Sequence, residues 1–179
     1  MPERLDDLPR GEEISVSLPP TICAAVSRMN QQVQLRDVEP DDLPLFFEHQ
    51  RDPEALAMVM FNSRDRPAFD AHWAKILASE TGLTKTIIVN GQTAGHIVSF
   101  IRDGEREIGY WLDRAFWGRG IATQALSAFL QMEKRRPLHA GVAKHNSASM
   151  RVLQKCGFRF VSGEQDPGDS HAILILAGT

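Results

Sequence analysis

Between Glu107 and Ala143 the chain reads strand, glycine loop, helix, strand, and this order constrains the fold more than any other feature. Arg106–Leu112 alternates as a half-buried strand does, and Asp113–Gly120 follows with two glycines near its end. Ile121, Ala125, Leu126, Phe129 and Leu130 then fall on one face of a helix. Pro137 closes that helix, and Leu138–Ala143 is the next strand. A strand–helix–strand crossover is almost always right-handed and leaves its two strands parallel. One parallel pair is therefore predicted in the sheet.

The rest of the sheet reads as antiparallel. Lys85–Val89, Ala94–Ile101 and Arg106–Leu112 have a period of two and are joined at Asn90-Gly91 and Asp103-Gly104. Asn-Gly is the strongest short hairpin signal, because a type I′ turn needs positive φ at both central residues. Val33–Leu35 is a short strand before a first helix, for which Pro40 suits the first turn and Leu43, Phe46, Phe47 and Gln50 supply the spacing. Phe69, His72, Trp73, Ile76 and Leu77 mark a second amphipathic helix. Another helix runs from about Ser147 to Cys156, stopping at Gly157, and Phe158–Val161 and Ala172–Leu176 are the last strands. The expected fold class is α/β: a mixed, mostly antiparallel sheet with one parallel strand pair and helices on both faces. Residues 1–31 show no period and are punctuated by Pro9, Gly11, Pro19 and Pro20, so they read as an N-terminal extension, either flexible or docked on a partner, to a domain over 32–179.

Bulk properties narrow the function classes. A chain of 179 residues suits one domain with a self-sufficient core. Cys23 and Cys156 are too few for a disulfide framework and lack metal-site spacing, so no metal is expected. Net charge is −3, which offers no global basic field for nucleic acid. No apolar run approaches the ~18 residues of a membrane span, and the polar start does not read as a signal peptide. A cytoplasmic protein, monomer or homodimer, that touches neither nucleic acid nor membrane is the expectation.

Chemistry concentrates in two segments. In the first, the strand delivers the chain to Trp117-Gly118-Arg119-Gly120 and a helix starts at once. First-turn N–H groups lack intrahelical partners and carry the positive end of the helix dipole, which makes the turn an anion site. Gly118 and Gly120 remove Cβ atoms that would keep a phosphate away, Thr123 adds a hydroxyl, and Arg119 either adds charge or points to solvent. The plain alternative is a tight turn with nothing bound. A Walker loop would need Gly-Lys-Ser/Thr, and a dinucleotide fingerprint would need a third glycine or alanine at Thr123 and an acid ending the next strand; neither is present.

The second segment is His145–Phe158. Ser149 shares a helix face with Val152, Leu153 and Cys156, so its hydroxyl should find a partner, by default a carbonyl in the preceding turn. Asn146 is placed to cap the helix and Gly157 to end it.

Together these segments resemble the GNAT superfamily of acyl-CoA N-acetyltransferases, and within it the RimJ/RimL branch. The branch shows a Glu-Ile-Gly-Tyr-Trp-Leu strand, a Trp-Gly-x-Gly-x-Ala loop and an Asn-x-x-Ser-x-x-Val-Leu-x-Lys-x-Gly-Phe helix. These stand here as Glu107–Leu112, Trp117–Ala122 and Asn146–Phe158, in family order within about residues 33–177. One position departs: the superfamily's Arg or Gln three residues before the first loop glycine is Ala115.

The resemblance implies acetyl-CoA as co-substrate and a primary amine as acceptor, either a protein N-terminus, a peptide or a small molecule. It implies that the loop backbone over Trp117, Gly118, Arg119, Gly120, Ile121, Ala122 and Thr123 holds the CoA pyrophosphate. Trp111 and Leu112 would pair with the pantetheine arm, Asn146 would contact pantetheine, and Ser149 would sit near the thioester sulfur. Glu107 would be a base acting through water. Many relatives use a tyrosine near the sulfur as acid; the one tyrosine here, Tyr110, lies on the strand, which favours Ser149 for that role. The acceptor side is expected from Leu45–Trp73 and the Ser162–Ser170 loop. Two rival readings remain: a non-catalytic acyl-CoA-binding regulatory module of the same fold, and a nucleotide-binding domain using the same glycine loop.

Overall fold

Turn chemistry organises the sheet as the sequence predicts. The computed structural model describes residues 31–59, 62–161 and 170–178. Readings made for residues 1–30 and for the loop over 162–169 lie outside them. β2 (Leu83–Val89), β3 (Gln92–Arg102) and β4 (Glu105–Leu112) form a meander whose turn residues Asn90, Gly91, Asp103 and Gly104 have φ of 50°, 81°, 51° and 83°. Positive φ at both central positions is the type I′ requirement. With β1 (Val33–Arg36), β5 (Leu138–Ala143), β6 (Arg159–Phe160) and β7 (His171–Leu176), the order is β1-β2-β3-β4-β5-β7-β6.

β4 and β5 run parallel, and the other neighbouring pairs among the described strands are antiparallel. The parallel pair has a single registered position, Glu107 opposite His139. Beyond it the two strands part. On its other side β4 stays paired with β3 up to Leu112 opposite Gly95. That pairing is so close that a Cβ built on Gly95 would lie 2.0 Å from the Trp111 carbonyl oxygen.

The helices are α1 (Asp42–His49), α2 (Pro53–Ala57), α3 (Arg66–Leu77), α4 (Ile121–Met132) and α5 (Ser147–Lys155). Capping sets several of their starts. Asp52 accepts from the N–H groups of Glu54 and Ala55, and Asp65 from that of Ala68, each with proline in the first turn. The helix expected to start with Pro40 in its first turn begins two residues later, at Asp42, and the Pro40 carbonyl accepts from Leu43 N–H. The five-residue α2 is too short to show a period in the sequence.

Each face of the sheet carries its own cluster. Ile97, Ile108, Leu112 and Leu174 pack with Ile121, Leu126 and Phe129 of α4 and Leu153 of α5. On the opposite face Phe46 of α1 and Phe69 and Trp73 of α3 form a smaller core. The His96 ring lies against it, with centroids 4.7 Å from Phe46 and 4.9 Å from Trp73.

Two buried carboxylates hold element ends together. Glu133, just past α4, accepts from Ser99 Oγ at 2.6 Å and from Arg135 Nη2 and Nε at 2.8 and 2.9 Å. Burial alone would raise its pKa, but the Arg135 and Ser99 hydrogen bonds win and hold it at about 2. Asp42, at the start of α1, accepts two bonds from the Arg36 guanidinium at 2.6 and 2.7 Å. Glu39 N–H, Thr86 Oγ1 and Thr93 Oγ1 donate to it as well, at 2.9, 2.7 and 3.1 Å.

Candidate active site

Parting of β4 from β5 opens a slit, and a cleft of about 1350 Å³ runs along it. From Ile108 to Leu112, β4 has no registered partner on its β5 side. That stretch is a sheet edge inside the fold, where an extended chain with amide groups can pair as a missing strand does.

One end of the slit is the glycine loop. A 3₁₀ turn over Arg114–Phe116, capped by Asp113, leads to Trp117, whose indole Nε1 donates to the Leu112 carbonyl at 2.8 Å. That bond pins the loop to the end of β4. Gly118 and Gly120 have φ of 70° and 77°, a region that glycine enters without Cβ strain. A Cβ at Gly118 would meet nothing within 4 Å, and one at Gly120 only Gln124 Nε2 at 4.0 Å. The space over both is thus open, as a bound anion requires. The first backbone bond closing α4 runs from Gln124 N–H to Gly120 O, so the N–H groups of Ile121, Ala122 and Thr123 have no acceptor in their own helix. The Ile121 side chain enters the core, as does that of Leu112. The Arg119 guanidinium turns back to the Ala115 carbonyl at 3.3 Å and over the Phe116 ring.

α5 forms the other wall. Asn146 caps it, its Oδ1 accepting from Ser149 N–H at 2.9 Å. The same side chain donates through Nδ2 to the Met58 carbonyl at 3.0 Å, and His145 Nε2 lies 2.7 Å from the Ala57 carbonyl. These two contacts, which sequence reasoning missed, tie the start of α5 to the end of α2. The Ser149 hydroxyl finds its partner across the slit and not in its own helix. Tyr110 Oη lies 2.6 Å from Ser149 Oγ and 3.4 Å from the Ser149 carbonyl. Burial pushes the Tyr110 phenol up to about 12, against the lowering effect of the Ser149 bond, so it stays protonated at neutral pH.

Alternation along β4 separates the two expected catalytic side chains. Tyr110 lies on the face with Ile108 and Leu112, toward α4 and α5. Glu107, Gly109 and Trp111 lie on the other face, toward α1 and α3. Glu107 is not a fully solvated edge residue: its side chain is 22% exposed and pairs with Arg102 Nη1 at 3.1 Å. Glu107 and Ser149 therefore reach the slit from opposite faces of the sheet, and both line the same cleft.

The Glu107 face is aromatic and rich in imidazole. Phe46, Trp73, His72 and His96 line the cleft there. Burial pushes His96 down to about 3, helped by His49 and His72, and burial likewise lowers His72. These rings are neutral at pH 7. The lip of this face is clamped by His49 Nε2 on Asp113 at 3.2 Å and by Arg114 on Asp52 at 3.3 Å. Among the described residues no cluster of three or more His, Cys, Asp or Glu could hold a metal, and no helix is long and apolar enough to cross a membrane.

Known proteins share this architecture. A family described as "Acetyltransferase (GNAT) domain" matches residues 32–159. The "Probable N-acetyltransferase YjcK" of Bacillus subtilis (strain 168) is 46% identical over 56 residues, 28% of this chain. That match spans 30% of the relative's own length. The RimL ribosomal L7/L12 α-N-protein acetyltransferase, solved with coenzyme A, superposes with a TM-score of 0.66 at 18% identity, covering 81% of this chain and 93% of that one. A spermidine N-acetyltransferase from Vibrio cholerae, solved with CoA and spermine, gives 0.65 at 14% identity, covering 80% and 93%. At such identities the two structures speak for the fold.

Proposed function

We propose, from the premise that this chain belongs to the acetyltransferase (GNAT) domain family, that it transfers an acetyl group from acetyl-CoA directly to a primary amine. The observation that carries this reading is the slit that opens beyond Glu107 and ends at the glycine loop. Its parts fit the co-substrate. The free N–H groups at the start of α4 suit a pyrophosphate. The edge of β4 that β5 leaves unpaired beyond Glu107 suits the amide-bearing arm, and the remaining Asn146 Nδ2 hydrogen is available to it. In this reading the thioester lies where the strands part.

From there the residues divide the work. An amine entering from the aromatic face passes Glu107, which takes its proton directly or through water. The neutral amine forms the C–N bond as the C–S bond breaks, and a β4 backbone N–H in the slit is suited to the carbonyl oxygen. Ser149, on the opposite side, donates a hydrogen bond to the departing thiolate. A protein N-terminus needs little help here, because its pKa is ~7.7–8.0 against ~10.4 for lysine.

Turnover of acetyl-CoA with a panel of N-terminal peptides, polyamines and aminoglycosides tests the reading. At least one amine should be acetylated, and acetyl-CoA at about 100 times Kd should add ~2.7 kcal/mol of stability. Binding without turnover would favour the regulatory-module alternative. An unmoved melting temperature with no heat of binding would sink the proposal.

The two side chains should respond differently to pH. Glu107→Gln should slow turnover most at low pH, with part of the rate returning as more amine arrives deprotonated. Ser149→Ala should lower kcat about 10- to 100-fold, less than a full oxyanion-donor loss because water can take its place. It should leave CoA affinity nearly unchanged and show no recovery at high pH. Wild-type rates for both variants across the pH range would remove both assignments.

A further inference from the structure

We infer that Tyr110 is a positioning residue for acyl transfer, its hydroxyl holding that of Ser149 toward the thioester sulfur in the β4–β5 slit. The inference rests on the acetyl-transfer reading above and adds a residue to it. Three observations carry it: the 2.6 Å contact between Tyr110 Oη and Ser149 Oγ, the fixed frame on each side of that contact, and its place in the slit.

Consider the hydroxyl protons first. Tyr110 can donate to Ser149 Oγ at 2.6 Å or to the Ser149 carbonyl at 3.4 Å. The shorter contact lies near the usual O–H···O distance and the longer is beyond it. A phenol is a stronger acid than an alkyl alcohol, so the favoured arrangement has Tyr110 donating and Ser149 accepting. The serine proton is then released from its own helix and from the tyrosine. Without Tyr110, a helical serine bonds back to a carbonyl in the preceding turn, which directs its proton away from the slit.

The frame is rigid on both sides. Tyr110 packs against the main core beside Ile108 and Leu112, so the ring has little freedom. Ser149 is held through its N–H by Asn146 Oδ1, and Asn146 is itself tied to the Met58 carbonyl. Tyr110 lies three residues beyond Glu107, the last position of β4 registered with β5. The hydroxyl pair therefore sits where the strands have parted, on the face opposite Glu107.

Neither hydroxyl changes its proton count in this step. The amine attacks the thioester carbon, the C–N bond forms and the C–S bond breaks with its electron pair passing to sulfur. Ser149 O–H hydrogen-bonds that thiolate while Tyr110 O–H hydrogen-bonds Ser149 Oγ. The proton the sulfur finally takes is the one the ammonium released through Glu107 and solvent. Because burial keeps the phenol protonated far above neutral pH, the donor is present wherever the amine reacts.

A double-mutant cycle on the full chain tests this, with Tyr110→Phe, Ser149→Ala and the double variant assayed by steady-state kinetics and calorimetric CoA binding. Tyr110→Phe keeps the ring that packs in the core. We expect it to lower kcat about tenfold, the scale of one hydrogen bond, with CoA Kd and acetyl-CoA KM within about twofold of wild type. The double variant should turn over no more slowly than Ser149→Ala alone. Losses that multiply in the double variant, a Tyr110→Phe defect confined to KM, or a wild-type kcat would overturn the role of Tyr110 while leaving Ser149 in place. A Ser149→Ala protein with wild-type kcat would overturn the serine assignment, and this role with it.

Discussion

A Gly120→Val protein is expected to fold and to bind CoA at least about 100-fold more weakly than wild type, because a branched Cβ would occupy the approach to the loop N–H groups. Gly120 has φ of 77°, and a Cβ there would meet no protein atom closer than Gln124 Nε2 at 4.0 Å. The fold itself has room for the side chain, so the collision is with the ligand. Valine at positive φ also strains the backbone, by roughly 1–2 kcal/mol. Gly91→Val controls for that cost. Gly91 has φ of 81°, nothing within 4 Å of its built Cβ, and a place in the β2–β3 turn. Both variants should melt a few degrees below wild type, and calorimetry should find CoA affinity lost in the first alone. A folded Gly120→Val protein with wild-type affinity would remove the loop from the binding site.

Asp42→Ala should destabilise the protein by about 3–5 kcal/mol, the range for breaking a buried charge pair. Asp42 is 2% exposed and accepts from Arg36, Glu39 N–H, Thr86 and Thr93. Alanine would leave these donors unmet, and the Thr86 hydroxyl is fully buried. For a domain of this size the melting temperature should fall by roughly 10 °C. A shift under about 2 °C would show that water replaces the carboxylate at little cost.

The pH dependence follows with a definite sign. Burial would raise the Asp42 pKa, but Arg36, Glu39 N–H and Thr86 bring it down to about 2. Its contribution is therefore complete above the unfolded value of ~3.9 and is lost as pH falls toward 2. Glu133, also held at about 2, behaves in the same way. His49 and His96, both lowered by burial, begin to cost stability as pH falls below ~6.5. The wild-type protein should lose stability progressively from about pH 6 downward, most steeply below ~4 where the carboxylates join. The Asp42→Ala variant should show a shallower slope in that last interval.

Contiguous residues encode the local structure of this chain. Two Gly-containing turns, the period-two runs beside them and the inward face of α4 stand where the pattern put them, since each depends on neighbours a few residues apart. The same holds for the anion-ready start of α4 after Gly120 and for the Asn146 cap on Ser149 N–H. The right-handed crossover rule placed β4 and β5 in parallel from their order alone. Tertiary structure decided which side chains meet. Tyr110 and Ser149 are 39 residues apart, Asp42 and Thr86 44, and His145 and the Ala57 carbonyl 88. Each pair is brought together by sheet order and by helices packed on particular faces, and no local period records either. Alternation along β4 already put Tyr110 and Glu107 on opposite faces. Only the parting of β4 from β5 made that opposition into two sides of one slit, because the strands stop pairing after Glu107 and His139 and leave a cleft reached from both faces.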